Sequence, residues 1–97
     1  MQKWSDEELI IVCELFYQKN LYREEKARIG VQLTGRTEAA IIMRLGNYQY
    51  LSDQTRSSGL CNPGSSCERI WAMFQKDPDT MHRRAEEIMA QRGWLSS

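Results

Sequence analysis

Between two helix-forming stretches, Arg23 to Leu33 and Glu38 to about Tyr50, the chain leaves only Thr34-Gly35-Arg36-Thr37 to change direction. So short a link holds the two helices against each other, as in a helix-turn-helix. Gly35 is suited to end the first helix, because glycine takes the left-handed conformation without steric cost. Thr37 can cap the next one with its hydroxyl. Gly30, inside the first stretch, costs roughly 1 kcal/mol relative to alanine and marks close helix packing. In the second stretch Ile41, Leu45 and Tyr48 recur on one side, which predicts the core face. Ala39, Met43, Gly46 and Asn47 fall on the opposite side, with Ala40 and Arg44 at its flank.

The flanking sequence extends this pair. Ser5 and Glu8 have the spacing of a capping box, Trp4 and Leu9 that of a hydrophobic staple, and Asp6, Glu7 and Glu8 suit the positive end of a helix dipole. Leu9, Val12, Cys13, Phe16 and Tyr17 then recur at helical spacing, predicting a first helix over residues 6–19 that ends near Asn20. Residues 52–66 are loop by composition, with Leu60 as the one strong apolar anchor. Ser65 and Glu68 predict a second capping box, opening a helix that carries Ile70, Trp71, Met73 and Phe74. Asp77-Pro78 breaks that helix and starts the last one, whose inner stripe is Met81, Ala85, Ile88 and Met89. It runs to about Arg92, Gly93 ends it, and Trp94-Leu95 is placed to fold back. The expected fold is all-α: a five-helix domain with a three-helix helix-turn-helix core (about 4–51), a loop (52–65) and a C-terminal helical pair (66–92).

A chain of 97 residues fits one domain and can bury a modest core without a metal or disulfide. No apolar run approaches the length needed to cross a bilayer, and the acidic N-terminus is unlike a signal peptide, so a cytoplasmic location is expected. An odd number of cysteines (Cys13, Cys61 and Cys67) in such a chain favours free thiols, with Cys13 in the core. The net charge is zero, which weighs against non-specific nucleic-acid binding. The charge is uneven, however. Asp6, Glu7, Glu8, Glu14, Glu24 and Glu25 crowd the first quarter, while Arg36, Arg44 and Arg56 face only Glu38 and Asp53 in the middle.

In a DNA-binding helix-turn-helix the second helix of the pair enters the major groove and its N-terminal half meets base edges. Such a helix needs exposed amides at its start and small outward residues. Arg36, Thr37, Ala39, Ala40 and Met43 fit those roles. Asn47 could pair with adenine and Arg44 with guanine or phosphate. Arg56, with Ser57 and Ser58, could touch the DNA backbone. The competing reading is an ordinary helical hairpin with solvated arginines.

The stretch Trp4-Ser5-Asp6-Glu7-Glu8-Leu9, followed by Gly35-Arg36-Thr37-Glu38-Ala39-Ala40-Ile41, resembles Myb/SANT-type helix-turn-helix domains. Over about residues 4 to 90 the chain resembles the N-terminal module that precedes the nuclease domain of HNH restriction-type endonucleases. The resemblance rests on Leu33-Thr34-Gly35-Arg36-Thr37, Arg44-Leu45-Gly46-Asn47-Tyr48, Leu51-Ser52-Asp53, Gly59-Leu60 and Trp71-Ala72-Met73-Phe74. Thr34 departs from the pattern as an inserted residue, which lengthens the turn by one. The resemblance implies double-stranded DNA as partner and a nuclease domain, or another protein, as the associated effector.

The chain itself is not expected to catalyse a reaction. An HNH site needs histidines and a metal-binding set, and His82 is the one histidine, expected to lie exposed beside Arg83 and Arg84. Cys61 and Cys67 are spaced too widely for a common zinc knuckle and lack an evident second pair, so no metal or other cofactor is expected. Two other readings remain open: a SANT-type protein-interaction domain, and a free-standing phage or mobile-element relative acting on a host defence nuclease.

Overall fold

The computed structural model describes residues 3–53 and 64–94. Among them are five helices, α1 (Asp6–Tyr17), α2 (Arg23–Thr34), α3 (Glu38–Ser52), α4 (Gly64–Lys76) and α5 (Pro78–Gln91), and no strand. The fold is all-α, as the periodicity predicts. Local chemistry sets most helix boundaries. Ser5 Oγ accepts from the Glu8 amide (3.2 Å) while the Glu8 carboxylate accepts from the Ser5 amide (2.8 Å), completing the first capping box. Asp77 caps α5 through the Thr80 amide, with Pro78 at its first position. Several boundaries differ from expectation: α2 takes in Thr34 and α3 runs to Ser52. α1 stops at Tyr17, and α4 begins at Gly64, before the expected cap position Ser65. The predicted loop over 52–65 falls largely outside the described residues.

α1 is the central element and packs against all four other helices. Its residues from Leu9 to Leu15 are buried without interruption, whereas the periodic reading expected a stripe. A helix that is apolar all round is covered all round. α2 and α3 cover one side, and the α4–α5 pair covers the other. Cys13, Cys67, Ile70, Phe74, Met81, Ala85, Ile88 and Met89 complete the core with Ile41, Leu45 and Tyr48 of α3. The Tyr48 hydroxyl donates to the Leu9 carbonyl in the interior (2.9 Å). Trp94 lies half-buried against this core, its amide donating to the Met89 carbonyl.

His82 is not idle. It is half-buried, lies edge-on to Tyr17 and Phe74, and its Nδ1 meets the buried Glu14 carboxylate at 2.5 Å. Glu14, inside the otherwise apolar centre of α1, also accepts from Gln18. A buried carboxylate needs such partners, and this one fastens α5 to α1.

The first-turn acids of α1 are each claimed by a basic residue from elsewhere: Asp6 by Arg69 of α4, Glu7 by Arg92 just past α5, and Glu8 by Arg36 of the turn. Three of the six acids of the first quarter are thus paired with arginines from other parts of the fold.

Candidate nucleic-acid interface

Thr34, the inserted residue, is absorbed into α2 as its last residue. Its hydroxyl donates to the Gly30 carbonyl (2.7 Å) and accepts from the Arg36 amide (3.1 Å). Gly35 follows at φ 77°, the left-handed conformation that ends the helix, and its amide bonds to the Val31 carbonyl. The turn therefore keeps only Gly35, Arg36 and Thr37. The Thr37 hydroxyl accepts from the Ala40 amide (3.2 Å) and starts α3. Gly30 lets α2 approach: a Cβ there would lie 2.7 Å from Ile41 Cγ2.

The turn and the first half of α3 form one wall of a concavity of about 950 Å³. Arg36, Thr37, Ala39, Ala40, Met43 and Arg44, six of the residues singled out in the sequence, all line it. Met43 is 68% exposed, and Ala39 is also exposed.

Of the other two expected contact residues, one is placed elsewhere and one falls outside the described residues. Asn47 is buried, with 6% of its surface exposed, which corrects its placement on the outward face. It shares a side of α3 with Arg44, where α4 packs and where Arg44 Nη1 reaches Cys67 Sγ at 3.3 Å. Arg56 lies outside the described residues, as does Cys61. Cys67 is buried.

Lys3 and Trp4 also line the concavity, a role the sequence reading did not give them. Trp4 was read as half of a staple. Its indole packs partly buried against the core and also lies beneath two guanidinium groups, Arg36 at 4.7 Å and Arg44 at 5.0 Å from the ring centre. Such cation–π contacts contribute roughly 0.5–2 kcal/mol each, depending on desolvation. Arg36 is further held by both oxygens of Glu8 (2.9 and 3.1 Å) and by the Lys3 carbonyl (2.7 Å). The bond from Arg36 holds the Glu8 carboxyl below the usual carboxylate range, and the same bond raises the guanidinium above its own. Arg36 thus builds the wall of the concavity.

On the other side of α3 lies a second hollow of about 220 Å³, lined by Phe16, Ile42, Leu45, Gly46 and Gln49 together with Arg23 and Lys26 of α2. Lys26 Nζ donates to the Phe16 carbonyl (3.0 Å), and partial burial pulls its ammonium below the ordinary lysine range. Arg23 is exposed. The outward ridge of α3 (Ala39, Met43 and Gly46) is therefore bordered by cations on both sides: Lys3, Arg36 and Arg44 on one, Arg23 and Lys26 on the other.

Among the described residues no group of three or more histidine, cysteine, aspartate or glutamate side chains comes together to hold a metal, and no helix is long and apolar enough to cross a membrane. Comparison with protein-family models, with curated proteins and with solved structures finds no match.

Proposed function

We propose that the chain is a non-catalytic helix-turn-helix module that binds double-stranded DNA through α3, and that it positions an associated nuclease domain or partner protein. One observation carries the reading: an exposed ridge of α3, made of small residues and Met43, bordered on both sides by cations. A helix in the major groove has a phosphate strand at each side, and cations at its borders match those strands while its ridge faces the base edges. Asp6, Glu7 and Glu8 are paired with Arg69, Arg92 and Arg36, so these acids are held by partners within the fold while the net charge stays zero. The resemblance to the module that precedes HNH nuclease domains points the same way.

The exposed Met43 and the zero net charge favour a second reading, a SANT-type surface for a protein partner. A titration against random-sequence duplex at low and moderate salt separates the two. Lys3→Ala and Arg23→Ala, both at exposed positions, should weaken binding without unfolding the domain and should each flatten the salt dependence by about one charge. Arg84→Ala, on the exposed side of α5, should bind as wild type does. Failure of the wild type to bind at low salt, or unchanged binding by Lys3→Ala and Arg23→Ala, would leave the protein-interaction reading in its place.

A further inference from the structure

The groups expected to read bases by hydrogen bonding are turned away from the ridge. Asn47 is buried, and Arg44 lies over the Trp4 ring with a guanidinium nitrogen on Cys67. The middle of the ridge presents carbon and sulfur: Ala39 and Met43 exposed, Ala40 and Ile42 half-buried beside them. Its exposed polar side chains stand toward the ends, at Thr37, Glu38 and Gln49, and the Thr37 hydroxyl is already engaged as a cap. Met43 is the protruding group, 68% exposed at the mouth of a concavity whose rim carries Lys3.

Gly46 adds an independent sign of close approach. It lies inside a helix, where glycine costs roughly 0.5–1 kcal/mol relative to alanine. Its φ is not positive, and a Cβ there would meet nothing within 4 Å. Packing among the described residues does not require glycine at this position. A missing side chain on the outward ridge, one turn beyond Met43, instead leaves room for an external surface to come against the helix backbone.

We propose that α3 reads the C5-methyl groups of pyrimidines in the major groove, with Met43 as the principal contact, Ala39 and Ile42 beside it, and Gly46 allowing the approach. The C5-methyl of thymine is the apolar group that the major groove displays, and apolar side chains recognise it by contact. Cations on both borders of the ridge select a polyanion as the carrier of those methyl groups. This inference rests on the DNA-binding reading and adds the chemistry that is read.

The test is a fluorescence-anisotropy titration of the whole chain against an alternating adenine–thymine duplex and the same duplex with deoxyuridine in place of thymidine. Removing the methyl groups should weaken wild-type binding by about fourfold for each methyl contacted. Met43→Ala, at an exposed position, should keep the fold by circular dichroism and lose most of the difference between the two duplexes. Equal wild-type affinity for both duplexes would overturn the methyl reading and leave DNA binding intact. Discrimination that persists undiminished in Met43→Ala would also overturn it. Failure to bind either duplex would overturn both.

Discussion

The seam between α2 and α3 and the outward ridge of α3 each carry a glycine inside a helix, Gly30 and Gly46. At Gly30 a side chain would press on Ile41, which is fully buried, whereas at Gly46 it would project into open space. The two positions bear a similar cost in helix propensity for different reasons. The first is explained by the fold and holds the helix-turn-helix together. The second is not, and it lies where the proposed ligand would sit. On this account substitutions at the seam cost stability and those on the ridge cost binding, and each prediction below probes that division.

The largest effect belongs to the seam. Ile41→Ala should destabilise the domain by about 2–5 kcal/mol in chemical denaturation, the range for emptying a buried aliphatic site. Gly30→Ala should cost roughly 1 kcal/mol net, because overpacking of about 1–3 kcal/mol exceeds the propensity gain of about 1 kcal/mol. In an Ile41→Ala background the clash disappears, and the same Gly30→Ala change should become stabilising. Additive behaviour of the pair would break the assignment of Gly30 to the seam.

Gly46→Ala should do the opposite on the ridge. It should stabilise by about 0.5–1 kcal/mol through helix propensity while weakening DNA binding. A variant that loses stability there would place Gly46 with Gly30 and remove the contrast.

The smallest effect concerns Arg36, which joins the turn to α1. Arg36→Met removes the pair with Glu8 at a cost of a few tenths to about 1 kcal/mol near neutral pH. The Glu8 carboxyl is held below its ordinary value in the folded state. The stability it contributes is therefore present above its unfolded pKa of about 4.3 and lost as pH falls through the lower folded value. Denaturation curves of Arg36→Met and wild type should accordingly converge in acid. A gap that stayed constant with pH would assign the effect of Arg36 to its stacking on Trp4.

The turn itself was well marked in the sequence, because Gly35 and Thr37 act locally and their neighbours suffice to read them. The register was harder. Read locally, the inserted Thr34 lengthens the turn; in the fold it extends α2, with its hydroxyl bonded to the Gly30 carbonyl. The unbroken burial of α1 was foreshadowed by the run Leu9-Ile10-Ile11-Val12-Cys13, apolar on every side, which a stripe template under-reads. Asn47 could not be placed from α3 alone. Helical spacing put it with Met43, but its burial lies on the Arg44 side of the helix, where α4 packs from beyond a long intervening segment. The pairing of Arg36 with Glu8 spans 28 residues, and no local pattern relates the two. Lys3, Trp4, Arg23 and Lys26 were missed for the same reason, since each borders α3 only after the chain has folded.

The most direct test of the central claim, that the outward ridge of α3 is the DNA-facing surface, is an amide-shift map of the labelled chain titrated with random-sequence duplex at low salt. The account predicts shifts or broadening concentrated at Gly35, Thr37, Ala39, Met43 and Gly46, with Arg23 joining them, and little change along α5 at Arg84 and Glu87. Shifts concentrated on α5, or a spectrum unchanged by excess duplex, would contradict it.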